Sequence, residues 1–484
     1  MIRKFRFSIF PQLALSVLTV IIFLSISIPA IADTPKHYTE LEFPPLPEVT
    51  LPEYERYQLD NGMVVYLVED RDLPLVGGTA IMRTGSRFEP AEKVGLARLT
   101  GSLMRSGGTK NHTAEELNLI LEQDAAIIET NISKTSGSAS FNTLTEDLDT
   151  VLNLFAEVIQ QPVFNPKRLE LAKNQRKGAI SRRNDDPQDI AGREFDKLIY
   201  GATSPYARTV EYETLDNIER EDLITFYQQY IRPENTILGI VGDFDTKEMQ
   251  AKIEQVFGNW QVTTPPPSLE IPAATQENGS GIYIVDRPDL TQSNVLIGHI
   301  GDTLDNPDYP ILSVMNGLLN GLGGRLFNEV RSRQGLAYSV YGVWNPNYDY
   351  PGQFTAGGQT QTESTVPFIQ SVLAEITKLQ TDPISEQELT NAKESILNSF
   401  VFNFQNPSQV LSRLMRYEYF GYPEDFIFQY QEGVNNTTVQ DIQRVAQQYL
   451  KPEQVITLVV GNNSAMNPSL KSLNKEITTV DISL

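Results

Sequence analysis

An α+β fold, built as two similar duplicated domains, is predicted for this 484-residue chain by three features. Asp222 to Gly242 returns without a gap as Asp441 to Gly461, and both copies carry Gln-Gln-Tyr-x-x-Pro-Glu, at Gln228–Glu234 and Gln447–Glu453. Strand and helix periodicities fall into groups within each half instead of alternating strictly, which argues against a doubly wound parallel sheet. A Pro-rich and then Gly/Ser-rich stretch from Thr263 to Gly281 separates the halves, and the length itself exceeds one ordinary core.

The elements follow in chain order. Residues 1–32 read as a secretory signal: Arg3, Lys4 and Arg6 precede an apolar run from Leu13 to Ile28, and Ala30-Ile31-Ala32 supplies a cleavage site before Asp33. The expected location is therefore exported, periplasmic or secreted. Membrane contact is expected only if the segment stays uncleaved and serves as an anchor. Residues 33–55 form an extended Pro-rich arm, with Phe43-Pro-Pro-Leu-Pro and Leu51-Pro.

An N-terminal domain is placed at 56–262. Tyr57 to Val68 reads as a hairpin turning at Asn61-Gly62. Thr113 and Glu116 form a capping box that opens a helix to Gln123. Glu146 to Gln160 is a second helix, with Leu148, Val151, Leu152, Leu154, Phe155 and Val158 on its apolar face. The repeat itself reads as a helix ending before Pro233 or Pro452, then a short buried strand, Thr236–Val241 or Val455–Val460. Upstream the copies agree with a one-residue shift: Leu169, Ala172 and Lys173 answer to Leu389, Ala392 and Lys393, and Pro187, Arg193 and Gly201 to Pro407, Arg413 and Gly421. Residues 263–280 are the linker, 281–470 the C-terminal domain and 471–484 a tail.

Composition excludes several functions. The formal charge of −22 becomes −25 once the three basic residues of the signal are removed, leaving 36 basic against 61 acidic side chains. Such a surface repels polyanions, so no nucleic-acid partner is expected. With no Cys there is neither a disulfide framework nor a thiol nucleophile, and no Gly-x-Ser-x-Gly elbow occurs. The three His (37, 112 and 299) are too far apart in sequence to form a local ligand pair.

Gly95 to Thr109 nevertheless has the frame of a helical zinc site. His-x-x-Glu-His puts two imidazoles on one helix face to grip the metal, with the Glu as general base. The corresponding places hold Arg98, Gly101 and Ser102, a cation, an absent side chain and a poor ligand. The surrounding Gly85-Ser-Arg-Phe-Glu89, Gly95-Leu-Ala97 and Gly108-Thr109 resemble the first domain of the insulinase/pitrilysin family of zinc peptidases, which includes mitochondrial processing peptidase. The resemblance places a third ligand at Ala179, so that position too is degenerate and no metal is expected on this chain. It covers about residues 55–465, and implies that each domain is a mostly antiparallel sheet with helices packed on one face.

The second half holds Gly321-Leu-Gly-Gly-Arg-Leu-Phe-Asn-Glu-Val-Arg331-Ser-Arg-Gln-Gly-Leu-Ala-Tyr338. Taken alone, this is a Gly-rich loop entering a helix with Leu326, Phe327 and Val330 inward, capped at Gly335 and followed by a strand. On that reading Arg331 is a snorkelling surface residue and Tyr338 a half-buried strand residue. The segment is also similar to the family's second-domain signature, Arg-Leu-x-x-x-x-Arg-x-x-x-Gly-Leu-Ala-Tyr. The resemblance implies that Arg331 and Tyr338 are the catalytic and substrate-binding pair, steadying the oxyanion of a peptide held at a zinc centre. It also implies the partners: a zinc-bearing paralogous peptidase subunit, carrying the zinc that this chain lacks, and unfolded peptides. Peptide adds as a strand in this family, and Ala126 to Ile132 is the candidate edge. The leading expectation is a non-zinc subunit of an exported heterodimeric metalloendopeptidase. The alternative is a catalytically inactive peptide-binding or structural homologue.

Overall fold

The computed structural model describes residues 49–321 and 323–483. The signal segment, most of the arm and His37 lie outside the described residues. Among the described residues no helix is long and apolar enough to cross a membrane.

Each half contributes one six-stranded mixed sheet. The first contains β1 (Glu55–Gln58), β2 (Val64–Glu69), β3 (Leu75–Met82), β4 (Ile127–Ile132), β5 (Gly137–Leu144) and β6 (Thr236–Gly242), in the order β1-β2-β6-β3-β5-β4. Only β2 and β6 run parallel. The second contains β7 (Gly281–Asp286), β8 (Gln292–Ile300), β9 (Ser339–Asn345), β10 (Gln353–Gln361), β11 (Ile456–Gly461) and β12 (Ile477–Thr479), in the order β12-β7-β11-β8-β10-β9. Here β7 is parallel to both β11 and β12, and the other pairs are antiparallel. Residues 471–484, read above as a tail, thus supply an edge strand. With one apolar residue in three, Ile477-Thr-Thr479 carries too little pattern to announce it.

The first half's helices are α1 (Leu96–Ser106), α2 (Ala114–Gln123), α3 (Leu148–Gln160), α4 (Pro166–Ser181), α5 (Pro187–Tyr200), α6 (Tyr212–Asp216), α7 (Arg220–Tyr230) and α8 (Thr246–Phe257). The second half's are α9 (Tyr309–Leu319), α10 (Thr365–Thr381), α11 (Glu386–Phe400), α12 (Pro407–Phe420), α13 (Phe426–Asn436) and α14 (Val439–Tyr449). The Thr113–Glu116 capping box forms as the residues require. Each half buries its own helices against one sheet face, giving one large apolar core per half.

The opposite faces are covered reciprocally. Helix α5 belongs to the first half but packs on β8 and β11, where Ile190, Phe195 and Ile199 share a core with Val285, Leu458 and Val460. Helix α12 belongs to the second half and packs on β6, with Leu411, Met415 and Tyr419 against Tyr66, Ile237 and Val241. The repeat explains how both fit. Small Gly239 on β6 meets bulky Leu411 and Met415, and a Cβ there would lie 2.4 Å from the Met415 sulfur. At the equivalent places the second sheet has bulky Leu458, and α5 offers Ala191 and Phe195. Where Leu458 replaces the small Gly239, Ala191 on the facing helix replaces the larger Leu411.

A buried ion pair crosses between the halves as well: Arg87 Nη1 donates to Asp349 Oδ2 at 2.7 Å. The Tyr206 and Tyr350 rings stack beside it with centroids 4.0 Å apart.

Candidate functional site

Helix α1 is held firmly at its start. Glu89, buried, accepts hydrogen bonds from the Gly95 and Ala97 amides at 3.0 and 2.8 Å, the favourable place for a carboxylate at a helix N-terminus. Burial pushes the Glu89 carboxyl up, while these two amides pull it back. Gly95 supplies the left-handed entry at φ 107°.

The four degenerate positions do not assemble a metal site. Arg98 is exposed, and Ala179 is exposed on α4. The Ser102 hydroxyl donates to the Leu99 carbonyl of its own helix at 3.2 Å. Gly101 lies against the end of β4, where an added Cβ would come within 2.3 Å of the Ile132 amide nitrogen. A Glu at that place would need the strand backbone to move. Arg176, one turn before Ala179, lies near enough to Arg98 to feel its charge; burial first, and Arg98 second, hold its pKa below the ordinary value. Two cations where ligands would converge do not fit zinc. Among the described residues no group of three His, Cys, Asp or Glu side chains could hold a metal ion.

The His residues have other uses. His112 contacts the Glu157 carboxylate at 3.1 Å beside the start of α2. His299 is buried, with Nδ1 2.7 Å from the Ile300 carbonyl and Nε2 accepting the Lys451 amide at 3.3 Å, and burial lowers its pKa. It is a neutral core histidine.

The second-half motif has a different character. The Gly-rich loop is tied to α11 by Arg325, whose Nε donates to Glu388 Oε1 at 2.8 Å. That bond and the Ser385 cap hold the Glu388 carboxyl down at about 2. The loop leads into a π-helical segment, Phe327–Arg333, packed on β9 and α10, with Leu326 and Val330 fully buried. Such segments are uncommon and concentrate at functional sites. Gly335 closes it at φ 66°, as a C-terminal cap should.

This geometry brings Arg331 and Tyr338 together. The Arg331 guanidinium carbon lies 5.0 Å from the Phe327 ring centre and 5.6 Å from that of Tyr338. Arg333, not Arg331, takes the neighbouring carboxylate, Glu329. Tyr338 is 76% exposed, so it is not the half-buried strand residue that its local pattern suggests. Two rings thus hold a solvent-facing cation with its N–H donors uncommitted to any carboxylate among the described residues. Phe327, four residues before Arg331, is half-buried and serves as the lower ring, a role the sequence reading missed. A cleft of about 650 Å³ lies elsewhere, between the first sheet's outer face and the start of α12. It contains neither Arg331, Tyr338 nor any of the degenerate ligand positions.

Two family models match, together covering more than half of the chain: Insulinase (Peptidase family M16) over residues 79–204 and Peptidase M16 inactive domain over residues 217–396. The chain belongs to the M16 insulinase family.

Its relatives are distant. An uncharacterised zinc protease of Bacillus subtilis, YmxG, is 24% identical over 361 residues, 74% of this chain and 86% of that protein. The Helicobacter pylori zinc protease PqqE is 23% identical over 433 residues, 84% and 93% of the two chains. Among solved structures, a peptidase M16 inactive domain from Pseudomonas fluorescens superposes with TM-score 0.76 at 23% identity, covering 84% of this chain and 98% of that one. The periplasmic protease PqqL from Escherichia coli gives 0.72 at 17% identity, covering 85% of this chain and 46% of its own. At these identities the structural likeness establishes the fold alone.

Proposed function

We propose that this M16 protein is the non-zinc subunit of an exported heterodimeric metalloendopeptidase. It binds unfolded peptides together with a zinc-bearing paralogue and lends Arg331 and Tyr338 to the joint site. The partner supplies the metal and general base. The Arg331 guanidinium and the Tyr338 hydroxyl donate hydrogen bonds to the peptide carbonyl, stabilising the charge that develops on its oxygen.

One observation carries this reading: the ring-held, solvent-facing Arg331 beside Tyr338 occurs in a chain whose metal helix has neither ligands nor room for the missing base. Export rests on the signal-like residues 1–32, and a structural relative is described as periplasmic.

The test is a mixing experiment. The chain is purified alone and with a zinc-bearing paralogue from the same cell, and hydrolysis of an unfolded peptide is followed. Zinc-dependent activity of the mixture that disappears with Arg331→Ala supports the proposal. Unchanged rates with that variant would favour the non-catalytic peptide-binding alternative.

A further inference from the structure

The duplicated helices α5 and α12 differ in charge at one place. In α5 the Arg193 guanidinium grips the turn before its own helix, Nη1 donating to the Arg183 carbonyl at 2.8 Å and Nη2 to Asn184 Oδ1 at 2.7 Å. Its Nε donates to Glu194 Oε1 at 2.7 Å, and Lys197 donates to the same oxygen at 3.1 Å. One buried carboxylate thus serves two donors. Arg413, Leu414 and Tyr417 occupy the equivalent places in α12. Arg413 keeps the grip, donating from Nη1 to the Asn403 carbonyl at 3.2 Å and from Nη2 to Asn403 Oδ1 at 2.8 Å. Leu414 cannot accept a hydrogen bond. The Arg413 Nε and the Tyr417 hydroxyl therefore lack the acceptor that their counterparts share, and neither has another among the described residues.

Arg413 and Tyr417 line a cavity of about 450 Å³ between α9, α11, α12 and α13. Its walls are mostly aromatic, with Tyr309, Tyr348, Phe400 and Phe426 joining Tyr417. Tyr417 is only 4% exposed, and its ring meets Phe426 edge-on with centroids 5.5 Å apart. The Tyr430 hydroxyl is bonded to Ser313 at 2.7 Å, whereas those of Tyr309, Tyr348 and Tyr417 have no partner among the described residues. Burial first, and then the nearby Tyr430, Tyr348 and Tyr417, push the Tyr309 hydroxyl up, so these groups converge. Carboxylates in the adjoining segments are engaged elsewhere: Glu418 with Arg56, Asp305 with Thr303 and Asp308 with Arg444. A mostly apolar cavity of this volume with a few convergent polar groups is the usual form of a small-molecule site. What it lacks is one negative charge at the Arg413 end.

We infer that this cavity binds a small aryl carboxylate. The carboxylate takes the place of Glu194's, accepting from the Arg413 Nε and the Tyr417 hydroxyl, and the ring lies among Phe400, Phe426 and Tyr309. A phosphate monoester fits less well, because the lining offers a single cation for its two charges. None of the lining residues belongs to α1, α4 or the Phe327–Arg333 segment, so this ligand is distinct from the peptide proposed above.

The experiment titrates the full exported chain with benzoate, 3-phenylpropanoate and indole-3-acetate, and with the uncharged amide of each, by isothermal calorimetry. At least one acid is expected to bind once per chain, and its amide about tenfold or more less tightly, as loss of a charge-assisted bond requires. Tyr417→Phe keeps the ring and removes a hydroxyl that bonds nothing in the protein, so it should fold normally and weaken the acid about two- to tenfold. Leu414→Glu, which restores the first half's internal carboxylate, should abolish acid binding. Failure of all three acids to bind the natural chain at millimolar concentration would overturn the inference, and so would amides that bind as tightly as the acids. Acid binding unchanged in both Tyr417→Phe and Arg413→Gln would overturn it too, whether or not Leu414→Glu folds.

Discussion

Helix α1 and the Phe327–Arg333 segment occupy opposite ends of one chemical problem, and they have been kept to different standards. Around α1 the scaffold is intact: Glu89 caps it, Gly95 turns into it, and β4 packs on it. The ligand positions of the resemblance hold Arg98, Gly101 and Ser102 there, and β4 lies directly against Gly101. Around the second segment Phe327 lies below Arg331 and Arg325 is anchored to Glu388, the support that the proposed role of Arg331 needs. A ring-held exposed cation contributes little to stability, so its presence points to use.

The largest effect is expected at Arg331. In the mixed enzyme, Arg331→Ala should lower kcat by about 10²–10³, the usual effect of losing an oxyanion donor, with folding unchanged by circular dichroism. Tyr338→Phe, which removes one hydroxyl, tests the same idea with the ring left in place.

Next in size is Gly101→Glu. If β4 has closed on that position, this variant should lose about 1–3 kcal/mol, read from the denaturant midpoint. Combining it with Arg98→His, Ser102→His and Ala179→Glu should add destabilisation without recreating a tight zinc site. A stable quadruple variant with bound metal would show that α1 retains room for a site.

A smaller effect is expected from Phe327→Leu, which keeps an apolar side chain but removes the ring. Loss of about 0.5–1 kcal/mol of cation–π attraction should cost the mixture several-fold in kcat/KM. The mixture with Phe327→Tyr, which keeps the ring, should retain its rate.

The smallest is a pH effect. The Glu388 carboxyl is held at about 2, below the ordinary Glu value, so its bond to Arg325 contributes stability above about pH 4.5. That contribution is lost as pH falls through the interval down to about 2. Hydrogen exchange in the Gly321–Arg325 loop should rise over that interval, and Glu388→Gln should remove the dependence.

Much of the architecture was legible because it was written twice. The Gln-Gln-Tyr-x-x-Pro-Glu repeat located α7 with β6 and α14 with β11, and Asn61-Gly62 located the first hairpin. The reciprocal α5 and α12 were not legible in their placement: apolar residues such as Ile190 and Phe195 reveal a buried face but not which sheet buries it. The departures from the ligand pattern at Arg98, Gly101 and Ser102 are visible in residue types alone. The contact of β4 with Gly101 is not, because a glycine does not say what approaches it. Arg331 and Tyr338 are singled out by their spacing and the resemblance, whereas Phe327 is not, because a helical i to i+4 aromatic looks like an ordinary core position.

The division of labour between these two regions is tested most directly by metal analysis of the isolated exported chain. After incubation with zinc and exhaustive dialysis, the isolated chain is expected to hold far less than one zinc and to hydrolyse no peptide. One tightly held zinc per chain, lost on substitution within α1 or α4, would contradict it.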